Sequence, residues 1–276
     1  MNKTVVWAIA MKDMRSVISS IRVWLPMLVI PFILGVVAPS IMIIMAGYGN
    51  LSKIQNIQLV IHLIENLKGT ELHDVLKNYP TLNQKIVYLL ITYLFVPCFL
   101  VIPIMASSVV AANSFVGEKE KKTLESLLLT PIDMISLFIG KVLSAFIPAM
   151  VITMIIFILF GISVNIFSYP LYLQWTFPTW NWILMLCWVV PVISLFVILF
   201  NVLISSKVKG FQEAYQLGSV IVIPIAILIV SQLMGYFILS TGRIFMMGAI
   251  VLGLDLLILY WVAKSNQRLQ LGEKHL

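Results

Sequence analysis

Between Lys141 and Lys207 lie 65 residues without one charged side chain, and nothing else in the sequence limits the fold so severely. As a single helix, at a rise of about 1.5 Å per residue, they would be roughly three times longer than the hydrocarbon core of a bilayer is thick. That stretch has to turn and cross twice. Over the whole chain of 276 residues, 61% are hydrophobic and 11% charged, whereas soluble domains carry about 25% charge. The sequence is that of an integral membrane protein, and it reads as all-α because each apolar run is long enough for a helix that satisfies its own backbone.

The gaps between charges place six transmembrane helices at 24–46, 86–111, 134–160, 181–204, 214–239 and 244–263. Pro26, Pro31, Pro97, Pro103, Pro148, Pro191 and Pro224 fall inside them; prolines in membrane helices predict kinks, since neighbouring helices can satisfy the freed carbonyls. Four basic residues, Lys3, Lys12, Arg15 and Arg22, precede the first apolar run, which is too long for the core of a cleavable signal. It is expected to stay as a span.

With the N-terminus inside, the cytosolic segments hold 13 of the 18 basic residues. Lys53, Lys68, Lys77, Lys85 and Arg243 are left outside, partly balanced by Glu65, Glu71 and Asp74. The positive-inside rule therefore puts both termini of a multi-pass protein in the cytosol; the expected location is the cell (plasma) membrane of a bacterium. The net charge of +7 is explained by these loops and needs no nucleic acid. Cys98 and Cys187 sit in apolar runs, so packing is expected of them rather than a disulfide. With His62, His73 and His275 scattered, no metal site is expected.

Two outer segments follow from this topology. The loop 47–85 is polar enough to leave the membrane, with periodicity for one or two short surface helices. The segment 161–179, with Tyr169, Tyr172, Trp175, Phe177 and Trp180, reads as an interfacial aromatic belt.

Two cytosolic segments carry more pattern than topology requires. In 1–22, Trp7, Met11, Met14, Ile18 and Ile21 recur at helical spacing while Lys12, Arg15, Ser19 and Arg22 occupy another face, which predicts an amphipathic helix in the headgroup plane of the membrane lipid. In the hairpin 113–133, Leu124, Leu127 and Leu128 form one helical stripe, and Glu118, Lys121, Lys122 and Glu125 lie largely off it. Thr130 and Pro131 end the run before Asp133, which can cap the next helix. Such a helix under the membrane can insert its leucines into a groove on a cytosolic partner while its charges set orientation.

The stretch "FVGEKEKKTLESLLLTPIDMISLFIGK", Phe115 to Lys141, resembles the signature of type-2 ABC exporter permeases, with its Glu-rich run, Thr-Leu-Glu, leucine pair and Thr-Pro before the third span. "SSKVKGFQEAYQLGSVIVIP", Ser205 to Pro224, is similar to that family's cytosolic link into its fifth span. Lys122 departs from the pattern, standing where many relatives have glycine before the threonine. A large outer loop between spans one and two looks more like the sodium- and antibiotic-export branches than the polysaccharide exporters.

The resemblance implies that 1–22 is a connecting helix and that the hairpin is a coupling helix contacting a separate ATP-binding subunit. Its contact residues would be Gly117, Glu118, Lys119, Glu120, Thr123, Leu124, Glu125, Leu127, Leu128, Thr130 and Pro131. It also implies two ATP-binding subunits and a second permease, identical or homologous, with ATP and Mg held by the partner. The chain has no GxxxxGK[ST] loop and no cofactor of its own is expected, so it is read as a transport subunit and not an enzyme. An apolar, aromatic-rimmed path suits an amphipathic small molecule, a peptide antibiotic or a lipid, and the branch resemblance adds sodium.

Polar groups inside the spans are the candidates for the path. Asp255 falls near the middle of span six, where an ionised aspartate costs on the order of 2.5–3.5 kcal/mol. It either faces the path or a subunit interface, or is protonated or hydrogen-bonded between helices. Asn165 and Asn201 are path candidates too, although they, Gln216 and Gln232 can equally bond neighbouring helices. Lys141 lies close enough to the cytosolic end of span three to snorkel.

Other classes compete. An intramembrane protease needs paired aspartates, a Ser-His pair or HExxH, and the spans hold one aspartate and no histidine. A secondary transporter or a membrane immunity scaffold would work without an ATPase, but neither needs the leucine-striped hairpin.

Overall fold

The computed structural model describes residues 3–49, 75–117, 133–205, 207–208 and 210–273. Six helices there are long and apolar enough to cross a membrane: Met27–Tyr48, Leu82–Gly117, Met134–Tyr172, Trp180–Ser205, Phe211–Leu233 and Thr241–Val262. An entry helix, Lys3–Ser19, precedes them, and the helix of the sixth span runs on to Glu273. No strand occurs among the described residues. Most of the coupling hairpin, 118–132, and most of the first outer loop, 50–74, lie outside the described residues.

The charge-free stretch turns once, at residues 173–179, and its two crossings are the third and fourth spans. The third helix continues past the expected boundary at 160 because nothing between Gly161 and Tyr172 breaks it. It stops where Leu173 takes a left-handed conformation (φ 56°) and donates its amide to Tyr169 O. Much of the expected aromatic loop is therefore helix. Tyr169, Trp175 and Trp180 are exposed, as a belt requires, but Phe177 turns inward and is buried.

The second span is the hub of the bundle. In its most apolar stretch 61% of residues are buried, against 17% in spans five and six, which form the periphery. Ala106, Ser107, Ser108, Ala111 and Ala112 are fully or almost fully buried; such small side chains let helices approach closely where lipid supplies no hydrophobic drive between them. Spans one, three, four and five pack around it. At one contact a Cβ on Gly218 of the fifth span would lie 2.4 Å from Ser108 Oγ and 2.8 Å from Asn201 Nδ2, so this three-helix junction admits no side chain.

Three of the prolines share a mark. Widened π-type turns at Ile33–Val37, Leu90–Leu94 and Met185–Val189 each end a few residues before a proline, Pro39, Pro97 and Pro191. A proline lacks an amide hydrogen and crowds the carbonyl one turn back, and a wider turn absorbs both defects. Pro148 and Pro170 sit inside the third helix without ending it.

At the end that carries 173–179, the aromatic rings close the core. Trp182 lies 4.7 Å from Phe160, 5.2 Å from Phe177 and 5.4 Å from Phe99 between ring centroids, and its indole donates to Ile91 O at 2.8 Å. One residue each from spans two, three and four and one from the connecting loop meet there. Tyr48 OH donates to Phe167 O at 3.0 Å and Gln84 Nε2 to Leu171 O at 2.7 Å, fastening spans one and two to the extended third helix.

Candidate functional site

The opposite end of the bundle carries the two helices that flank 118–132. The second span reaches Gly117 and the third begins at Met134, with the Asp133 carboxylate accepting from Ser136 N at 3.1 Å as its N-cap, the role its sequence position predicts. Of the expected coupling residues only Gly117 is described. It is buried, and a Cβ there would meet Asn113 Oδ1 at 3.2 Å. Glu118, Lys119, Glu120, Thr123, Leu124, Glu125, Leu127, Leu128, Thr130 and Pro131 lie outside the described residues.

The entry helix rests directly on this end. Its exposed apolar side includes Trp7 and Ile18, members of the stripe read from the sequence, with Lys12 and Arg15 also exposed. A second stripe, Val6, Ile9, Ala10, Asp13 and Val17, is buried, and the helix packs along the third span. Contact is close at Gly140, where a Cβ would stand 2.9 Å from Ile9 Cβ and 3.1 Å from Val6 O.

One acidic residue sits on that buried stripe, and it is not idle. Asp13 is 5% exposed and accepts a hydrogen bond from Ser114 Oγ at 2.6 Å. Lys141, also 5% exposed, donates to the Ser114 carbonyl at 2.6 Å and stands 3.7 Å from Asp13 Oδ2. The Lys141 ammonium also lies 5.7 Å from the centroid of the Phe115 ring. Ser144 Oγ donates to Lys141 O at 2.7 Å and lies 3.2 Å from Ser114 Oγ. Lys12 reaches Asp13 Oδ1 at 3.9 Å from a largely exposed position.

Lys141 therefore does not snorkel. At 3.7 Å its contact with Asp13 is an ion pair rather than a hydrogen bond, and Ser114 makes the connection by giving its carbonyl to the cation and its hydroxyl to the anion. Two buried charges survive only when their remaining hydrogen-bonding capacity is met in this way. Asp13 was missed from the sequence as a partner, yet it stands at i+3 and i+4 from Ala10 and Ile9 and four before Val17, on a stripe that is otherwise apolar.

The intramembrane candidates are dispersed. Asn165 holds the connecting loop: its amide donates to Phe177 O at 2.9 Å, and its oxygen accepts from Thr176 N and Phe177 N, each at 3.2 Å. Asn201 is buried at the Gly218 junction and donates to Val197 O at 2.9 Å within its own helix. Gln232 donates to Tyr93 O at 3.1 Å, an interhelical bond. Asp255 is 2% exposed, and neither carboxylate oxygen has a hydrogen-bond partner among the described residues.

A multi-helix bundle with buried ionic packing at one end is compatible with several transport classes, and comparison with known proteins separates them. No curated protein and no solved structure matches the chain. Residues 7–263 match the sequence model of a family described as "ABC-2 family transporter protein". That match takes in most of the entry helix, the hairpin and all six spans, so the chain belongs to the ABC-2 transporter family and is a multi-pass membrane permease of it.

Proposed function

We propose that the protein is the permease subunit of an ATP-driven exporter, forming half of a translocation path and driven by a separate ATP-binding subunit. The family match over 7–263 carries this reading. The cytosolic sidedness of both termini and the hairpin rests on the distribution of Lys and Arg. Two ATP-binding subunits, holding ATP and Mg, and a second permease complete the complex. The cargo class that fits is an amphipathic small molecule, a peptide antibiotic or a lipid, with sodium the ionic counterpart.

In this reading the leucines of the hairpin dock on the ATPase and its charges orient the contact. Affinity purification of the tagged protein in mild detergent should bring down a stoichiometric P-loop ATPase active in ATP hydrolysis. Leu127→Asp places a charge in that apolar contact and should abolish co-purification without preventing membrane insertion; Glu118→Lys should weaken it. A protein that purifies alone, without ATPase activity, would shift the reading to a secondary transporter or an immunity scaffold.

In this reading Asp255 serves the function from between the chain's own helices, where it is enclosed, and meets the path only when the bundle rearranges during the cycle. A buried carboxyl without a hydrogen-bond partner among the described residues lowers stability, and an ionisable residue kept inside a span marks a candidate functional position. Asp255→Leu is therefore expected to raise the unfolding temperature of the purified protein, by the equivalent of about 1–3 kcal/mol, while lowering export. A fall in unfolding temperature would reveal a structural partner and remove the proposed role.

A further inference from the structure

The buried ionic cluster joins three elements that are separate in the sequence. Asp13 belongs to the entry helix, Ser114 to the last turn of the second span, and Lys141 with Ser144 to the start of the third. The second and third spans are the helices on either side of 118–132. An apolar contact between the same three helices would hold them together but let them slide, because dispersion and burial have little direction. The bonds through Ser114 are directional, at 2.6 Å on both its hydroxyl and its carbonyl. Gly140 adds the close backbone approach that keeps the entry helix in register.

We propose that Asp13 is a positioning residue for energy coupling: through Ser114 and Lys141 its carboxylate clamps the entry helix to both helices flanking 118–132, so that the three move as one body. This inference rests on the ATPase-driven reading above. Its consequence is that force arriving at the flanking helices reaches the membrane-surface helix without slip. Asp13 acts on transport only through the helices it fastens.

The test uses the purified complex in a background carrying Cys98→Ala and Cys187→Ala. Ala10 is fully buried on the clamped face, so Ala10→Cys reports the seam between the entry helix and the third span. Arg15→Cys, on the exposed side, is the control. With the cluster intact, a water-soluble maleimide should label position 10 at least roughly tenfold more slowly than position 15, both without nucleotide and with the ATPase trapped by ATP and vanadate.

Asp13→Asn should raise labelling at position 10 by roughly tenfold, and further in the trapped complex, where the loosened helix lags behind. Should that variant fail to assemble, Ser114→Ala, which removes one hydroxyl and leaves both charges in place, makes the same comparison. Faster labelling on trapping with the cluster intact would mean that the seam opens during the cycle, and would overturn the clamp. Unchanged labelling in both variants would overturn it as well. If no ATPase co-purifies, the functional reading falls and the coupling role of Asp13 falls with it; an assembled ATPase with unresponsive labelling removes the clamp alone.

Discussion

Trp182→Ala is expected to lower stability by about 3 kcal/mol, the lower part of the range for removing a buried tryptophan, because part of what the indole escapes here is lipid rather than water. The loss is mainly packing: Phe99, Phe157, Phe160 and Phe177 all lie within 6.0 Å of Trp182, centroid to centroid. Each rests partly on the indole, and alanine leaves a void that four rings from three elements cannot jointly fill. The variant also strips Ile91 O of its donor, adding about 1–2 kcal/mol if that carbonyl finds no other. Thermal unfolding followed by size-exclusion chromatography in detergent reads the change directly. An unshifted midpoint would mean that the rings are not packed as described.

Lys141→Met should cost about 3–5 kcal/mol, since it leaves the Asp13 carboxylate buried without its main counter-charge. The neighbouring Lys12 is exposed and, screened by solvent, replaces little of that interaction. The opposite result is expected of the double variant Asp13→Leu with Lys141→Met, which removes both charges together and should unfold near or above the parent temperature. Additive losses in the double variant would show that the two residues do not act as a pair. The contrast separates stability from coupling: a well-folded double variant without the clamp should still assemble with the ATPase while its entry helix moves independently.

How far the sequence reveals this molecule depends on what each feature is made of. The six spans are legible because hydropathy is a property of consecutive residues, and charged residues bound every run except where the third and fourth spans share one charge-free stretch. The length of the third helix is not legible, since its end is set by one left-handed residue, Leu173, in a stretch with no charge or glycine to announce it. The single apolar stripe read on the entry helix is half of the truth: Val6, Ile9, Ala10 and Val17 form a second, and a helix held between lipid and protein shows little amphipathic contrast. Lys141 and Asp13 are 128 positions apart, so no local rule pairs them. Near a helix end snorkelling is the ordinary fate of a lysine, and only the packed entry helix denies it water. Asn165, whose partners lie 11 and 12 residues further on, offers the same lesson at shorter range.

The third helix has a further consequence as a lever. Its 39 residues amount to about 58 Å at the usual helical rise, nearly twice the thickness of the hydrocarbon core. The chain passes from Met134 to Tyr172 without leaving the helix, whereas the first, second and fourth spans each contain a widened turn before a proline. A tilt of about 5° imposed at Lys141 therefore carries Tyr172, about 46 Å along the helix, sideways by about 4 Å, roughly the width of an aliphatic side chain. A small rotation at one membrane face becomes a displacement of useful size at the other.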